Sequence, residues 1–342
     1  MTMTSTTPVA QRTTVWAKAE MLAHAQPVQV LNMFGDDHPL PKNKGKVISM
    51  RRWDVKVIGA TGSVQLDVSG NPVALVEGTE PDGGDLTYSN IEATLAQFGN
   101  FTKITDVCED AYEDPVRQHA TEQNGEEAGE VVELACWGVT RGGTNVDYAT
   151  GTSRVEVNNA VSDAMINRIE RSLMAAKAKH ERRYLSGDPD YETRPIPASY
   201  IIIGHTDLLR DFKELTGWIP YQKYVGQDRI CEYEEGSVGK FRVILSPTLT
   251  KWADAGAATS TMVSTTGTDA DVYPFIAFGR HAYGHTRLKG KNSLTPMIVQ
   301  PNTPSAGDRL GQVGSVGWKL MYVSMIQHQD WIIRGECGAT AL

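Results

Sequence analysis

Between Val55 and Gly62 the chain reads Val-Lys-Val-Ile-Gly-Ala-Thr-Gly, an apolar extended run that ends in two spaced glycines. A dinucleotide-binding turn begins this way, because the glycines let the backbone approach a pyrophosphate and a following helix offers its free N–H groups. The continuation does not suit that chemistry. The third glycine position is occupied by Gln65, and Val64, Leu66 and Val68 alternate as in a strand that runs into Gly70-Asn71-Pro72, so no helix is predicted to receive phosphate. His281 and His285 stand four apart and on a helix would share a face as metal ligands. Gly279 and Gly284 predict that there is no helix there. Asp36-Asp37-His38 could seed a metal or acid–base cluster, but these residues stand in what reads as an extended arm. Cys108, Cys136, Cys231 and Cys337 are scattered without paired spacing, which indicates small buried thiols in place of a zinc site or a disulfide framework. Nucleophile elbows and phosphate loops are lacking too. The expectation is a chain with no catalytic residues, cofactor or metal, and hence not an enzyme.

Composition narrows the class further. The chain has 342 residues, 40% of them hydrophobic, which is enough for a sizeable core in two lobes. No apolar run is long enough to span a membrane, and the N-terminus lacks a charged-then-apolar leader, so synthesis in a cytoplasm is expected. A net charge of −8 argues against a dedicated nucleic-acid binder. The distribution of charge says more than its sum. Nine acidic residues between Glu109 and Glu133 face only Arg117, and six basic residues between Lys42 and Lys56 face only Asp54. These are either two solvated surfaces or complementary patches on neighbouring copies that set register during assembly.

The elements that would carry these patches can be read along the chain. Residues 1–14 are polar and rich in Thr, as in disordered segments, and a short helix is predicted over 15–22. Lys46 to Val57 reads as a strand, Val73 to Val76 as a second extended piece, and Leu86 to Thr105 as a strand pair. Asp114-Pro115 is a helix start and Gly142-Gly143 a stop. The interval is one very long helix, apolar along Ala128, Val131, Val132, Leu134, Ala135 and Val139, with a polar first half and a weak point at Asn124-Gly125. Further on, the pattern predicts a strand at Arg154–Val157 and an amphipathic helix over 159–183. It then predicts a buried strand at Tyr200–Ile203, a helix capped by Thr206 over 207–215, and strands at 241–245 and 273–278. An Ala/Ser/Thr/Gly loop fills 255–268, and extended segments at 297–300, 317–326 and 331–336 complete the tail.

Several stretches, in their order and spacing, resemble the major capsid proteins of N-four-type tailed phages. They are Phe34-Gly35-Asp36-Asp37; Leu40 to Trp53; Leu75-Val76-Glu77-Gly78-Thr79-Glu80-Pro81; Ala93 to Gly99; Thr105-Asp106; and Gly307-Asp308-Arg309-Leu310-Gly311-Gln312 with Val316-Gly317-Trp318-Lys319. The likeness extends from about residue 34 to 336, and only the loop from Lys56 to Pro72 has no counterpart. It implies an α+β chain of the Hong Kong 97-type capsid fold. Its parts would be an N-terminal arm over 1–40, an extended E-loop over 41–84 and a P-domain with a spine helix over 85–145. An α/β A-domain over 146–270 and strands over 271–342 that return to both domains would follow.

The resemblance also implies a function. Copies would assemble as hexamers and pentamers into an icosahedral head in the virion. The head would hold double-stranded DNA without reading its sequence, with a portal and possible decoration proteins as partners and no membrane. The lack of a long charged helical extension before residue 15 points to a separate scaffolding protein. On this reading Lys42, Lys44, Lys46, Arg51, Arg52 and Trp53 of one E-loop face Glu126, Glu127, Glu130 or Glu133 on a neighbour's spine. The rivals are an encapsulin-like shell around cargo proteins and a dinucleotide-binding enzyme using Gly59 to Gly62.

Overall fold

Among the described residues, one long helix contributes to two of the three apolar cores. The computed structural model describes residues 29–41, 43–53, 63–67, 69–80, 85–111, 116–181, 198–224, 229–288, 294–304 and 307–341. The polar arm of residues 1–14, the helix expected over 15–22, the turn Gly59–Gly62, the helix start Asp114-Pro115 and Lys42 lie outside the described residues. The chain divides into two units, Lys46–Thr94 and the remainder.

In chain order the larger unit begins with α1 (Leu31–Phe34) and β1 (Asp36–Asp37). The smaller unit holds β2 (Val47–Trp53) and β3 (Tyr88–Thr94). The larger unit resumes with β4 (Ala96–Thr105), α2 (Asp106–Ala111), α3 (Val116–Thr140), β5 (Val146–Tyr148) and α4 (Asp163–Ala175). Then come β6 (Tyr200–His205), α5 (Leu209–Lys213), β7 (Ile219–Pro220), β8 (Glu234–Val238) and β9 (Phe241–Ser246). The chain closes with β10 (Tyr273–Phe278), β11 (Tyr283–Arg287), β12 (Leu294–Val299), β13 (Val313–Ile326) and β14 (Ile332–Cys337).

The expected spine is α3, unbroken through Asn124-Gly125. Its polar first half is not a solvated face. Thr121, Asn124, Gly125, Ala128 and Gly129 are buried, because small residues let the helix backbone lie close to the sheet below. Asn124 Nδ2 donates to Ala120 O at 2.7 Å and to Val316 O on β13 at 3.3 Å. Asn124→Ala is therefore expected to cost about 1–2 kcal/mol, read as a lower urea midpoint. Its last turns, Cys136 and Trp137, enter a different core with Ile201, Ile203, Ile244 and Phe278.

Under the first part of α3 lies a sheet of order β1-β11-β13-β12, with β4 also paired to β13. Val316, Trp318, Leu320 and Ile104 face the helix. The second sheet, of order β5-β14-β10-β6-β9-β8-β7, is apolar on both faces. Tyr200 and Ile202 meet α4 residues Met165, Ile169 and Leu173, while Ile201 and Ile203 meet Trp137 and α1. Burial on both sides explains why such strands read as uninterrupted apolar runs.

Several expectations are corrected. Arg154–Glu156 is a 3-10 turn held by a Ser153/Glu156 capping box, not a strand. The helix predicted over 159–183 is α4 alone, started by Ser162, whose side chain accepts from Met165 N, and followed by Lys177 in a left-handed conformation (φ 55°). His205, not Thr206, supplies the cap, its Nδ1 accepting from Asp207 N, and what it caps is a 3-10 turn, Thr206–Leu208, that leads into the short α5. Strands β3 and β4 do not pair with each other. Leu95 alone separates them, too short a link for a turn, so β3 pairs with β2 and β4 with β13.

Residues 29–41 are built into the larger unit. Val30, Leu31 and Phe34 are core residues, and Asp36-Asp37 add a parallel strand to β11. The Asp36-Asp37-His38 run and the His281/His285 pair thus meet. His281 Nδ1 lies 2.7 Å from Asp36 Oδ2, and His285 Nε2 lies 3.6 Å from Asp37 Oδ1. Among the described residues no three such groups could hold a metal ion, and no helix is long and apolar enough to cross a membrane.

Candidate assembly interface

The ribbon of β2 and β3 is antiparallel, with Val47 opposite Thr94, Met50 opposite Ile91 and Trp53 opposite Tyr88. Side chains alternate between its faces. Ile48, Met50 and Arg52, with Ser89, Ile91 and Ala93, form a half-buried face, while Val47, Ser49, Arg51 and Trp53 share the exposed one. Arg51 and Arg52 therefore point to opposite sides of the ribbon, a consequence of the strand period that charge counting alone overlooked.

On the exposed face Arg51 lies over the Tyr88 ring, 4.1 Å from its centroid, and its Nε donates to Asn90 Oδ1 at 3.2 Å. Trp53 meets Tyr88 edge to face at 5.5 Å. Tyr88 completes this platform and was not singled out from sequence, since it becomes Trp53's neighbour only through a pairing that spans more than thirty residues. Lys44 and Lys46 are exposed as well.

Among the described residues of 46–94 no apolar side chain reaches the buried core. Leu75 is 78% exposed, Leu86 68% and Trp53 54%. A two-stranded ribbon without a core is marginal in water, and a large exposed apolar surface marks an interaction site.

The acidic side divides. Glu126 and Glu130 are exposed on α3. Glu127 turns to the sheet beneath, accepting from Asn100 Nδ2 at 2.7 Å and from Trp318 Nε1 at 3.2 Å. Glu133 is fully buried, and both its oxygens accept from Leu31 N, at 2.8 and 3.0 Å, so it is not a surface contact. An alternating charge count could not separate these four, because only the helix's seating decides which of them meet water.

The sheet face away from α3 carries an open groove of about 540 Å³. Phe101, Met297, Val299 and Lys319 rim it, and Gly99 and Gly317 leave its floor bare. A Cβ at Gly317 would meet Asn100 O at 2.7 Å, so this pairing admits only glycine.

No family model matches the chain. A major capsid protein of Pseudomonas phage KPP21 is 22% identical over 198 residues, 54% of this chain and 50% of that protein. The chain thus spans about half the length of that curated relative. Among solved structures, the capsid of Ralstonia phage GP4 superposes with a TM-score of 0.61 at 13% identity, covering 92% of both chains. This is the Hong Kong 97-type capsid fold. The capsid of cyanophage P-SCSP1u (TM-score 0.56, 13% identity, 91% and 88% covered) and that of cyanophage Pam1 (0.56, 14%, 88% and 87%) share it.

Proposed function

We propose that the chain is the structural major capsid protein of a tailed phage. On this reading copies join as hexamers and pentamers into an icosahedral shell around packaged DNA. The observation that carries it is the ribbon over Lys46–Thr94, whose described residues place no side chain in the buried core and leave Trp53, Leu75 and Leu86 exposed, on a capsid fold. Such a ribbon is stable only when a second surface covers it, and a neighbouring copy supplies one in a shell. Its role is in interfaces and not in catalysis. The site of action is the virion after synthesis in a bacterial cytoplasm, with a separate scaffolding protein and a portal as partners.

The ribbon's Arg51, together with Lys44 and Lys46, is proposed to face Glu126 and Glu130 on a neighbour's spine. Single exposed pairs contribute only about 0.2–1 kcal/mol each, so their effect comes through repetition over many copies and is weakened by salt. Trp53 and Tyr88 beside Arg51 are the residue types that anchor interfaces.

The test is negative-stain electron microscopy of the purified chain, after gel filtration at low and high salt. Closed shells or ring-shaped capsomers are expected, either from the chain alone or on addition of the candidate scaffold. A chain that stays monomeric with scaffold present overturns the reading. The paired change Arg51→Glu with Arg52→Glu is expected to impair shell formation while leaving the circular dichroism of the monomer unchanged. Because the two arginines face opposite sides, Arg51→Glu alone should carry most of the loss. Normal shells from the double variant would sink the charge pairing without touching the capsid assignment. An encapsulin-like container is separated by content, since such shells would copurify with cargo protein and not with DNA.

A further inference from the structure

The three strands β4, β12 and β13 contain no Asp or Glu, and Lys103 and Lys319 are their only charged residues. Alternate side chains of these strands go to α3, where Ile104, Leu294, Val316 and Leu320 pack with Ala128 and Val132. Phe101, Lys103, Met297, Val299, Val313 and Lys319 therefore share the opposite face. Phe101 is 59% exposed and Met297 51%, and Val299 and Val313 are exposed with them. Lys103 Nζ stands 5.8 Å from the centroid of the Phe101 ring, and Lys319 rims the groove on this face. An exposed apolar face rimmed by positive charge alone marks an interaction site.

The smaller unit of the same chain carries a surface of the opposite kind. Residues 63–86 hold five acidic residues and no basic one. Asp67 closes a small turn there, its Oδ1 accepting from Ser69 N and Asn71 N, both at 2.8 Å. Asp67 N donates to Asn71 O and Val73 N to Gln65 O, each at 2.9 Å, so this tip has a shape of its own. Val64 and Leu66 stand exposed just before Asp67, and Val73, Leu75 and Val76 just before Glu77.

We propose that the tip over residues 63–80 of one copy seats on the acid-free face of the β4–β13–β12 sheet of a second copy. The aliphatic side chains from Val73 to Val76 cover Phe101, Met297 and Val299, while Asp67, Glu77 and Glu80 come among Lys103 and Lys319. Gly99 and Gly317 leave the floor of the groove bare, so an extended segment can lie close to the sheet. The aliphatic cover supplies the affinity, and the charges supply orientation and register. Because the two surfaces differ, the contact is head-to-tail, the kind that closes into rings when its rotation allows. The inference takes its partner, a second copy, from the assembly reading, but it uses the sheet face away from α3 and so is separate from the pairing with Glu126 and Glu130.

A photo-crosslinking amino acid in place of the exposed Leu75, in the full chain, tests this. Isotope-labelled and unlabelled copies are mixed with the candidate scaffold, and cross-linked peptides are read by mass spectrometry in every form that elutes from gel filtration. Cross-links are expected from position 75 of one isotopic copy to peptides containing residues 97–103, 295–299 or 313–319 of the other. Met297→Asp, which sets a carboxylate on the apolar face, should lower their yield about tenfold or more, while Met297→Leu keeps the parent yield. The yield should also fall as salt rises. Cross-links that land on α3 or only within one copy overturn the contact, as does a chain that gives none between copies. Parent-like yield from Met297→Asp overturns it equally. Normal shells with cross-links elsewhere remove this contact and leave the capsid reading standing. The expected cross-links in a chain that forms no shells keep the contact and remove the capsid reading.

Discussion

Glu336→Ala is expected to lower the stability of the unassembled chain by about 3–5 kcal/mol, read as a shift in the urea unfolding midpoint. Glu336 is fully buried on β14, where Arg154 Nε donates to Oε2 at 2.7 Å and Arg154 Nη2 to Oε1 at 2.8 Å. Arg334 Nε lies 2.7 Å from Oε1, a close ion-pair contact. Arg334 also donates to Arg141 O and, at 3.1 Å, to Gly143 O, the free carbonyls just past the end of α3. The carboxylate therefore holds in place the guanidinium that closes the spine helix. Arg154 lies flat against Trp252, with its carbon 3.5 Å from the ring centroid. Removing the carboxylate leaves two guanidinium groups unbalanced. Arg154, a third exposed, can take up water, but Arg334 at 12% exposure cannot do so without opening the site. Glu336→Gln keeps the shape and should cost less. An unchanged midpoint in Glu336→Ala would show that solvent reaches this cluster.

Trp137→Ala should cost a comparable 3–5 kcal/mol, because it empties the place where the spine meets the second sheet. Trp137 is fully buried, and its Nε1 donates to Thr250 O at 3.3 Å. Around it stand Ile201, Ile203, Ile244, Phe278 and Ile332 from the seven-stranded sheet, with Leu31 and Phe34 from α1. These come from elements far apart in sequence, and strands cannot collapse into the void without losing their register. Val132, by contrast, packs on the other sheet. Val132→Ala is a smaller deletion at an independent core, and the two losses should add. If Trp137→Ala instead stays within 1 kcal/mol of the parent, α3 is not the element that joins the two cores.

Much of this architecture was legible along the chain. The end of the spine, the buried strands at Tyr200 and Tyr273, and the ribbon strand from Val47 all follow from local rules of turn chemistry and periodicity. Strand β11 was not legible. Tyr-Gly-His-Thr-Arg has no apolar alternation, and it is buried because β1 and β13 flank it and Gly284 lets Asp36 approach. A Cβ there would come within 2.9 Å of Asp36 O. The Asp36-Asp37-His38 and His281/His285 runs were each visible as possible chemistry, but their meeting across some 245 residues was not.

The candidate interface divides in the same way. Segregated charge and an extended loop without core residues are properties of composition and pattern, and the chain states them outright. Which acidic residues are surface and which are interior depends on how α3 is rotated against the sheets. That rotation is decided by small residues at Gly125, Ala128 and Gly129 and by the docking of Val30–Phe34. Glu126 and Glu130 are left in water by it, Glu127 is turned to Trp318, and Glu133 is shut away with the arm base. A one-dimensional charge pattern records the sign of each residue. Burial and partner, which determine what that charge does, exist only once distant segments have packed together.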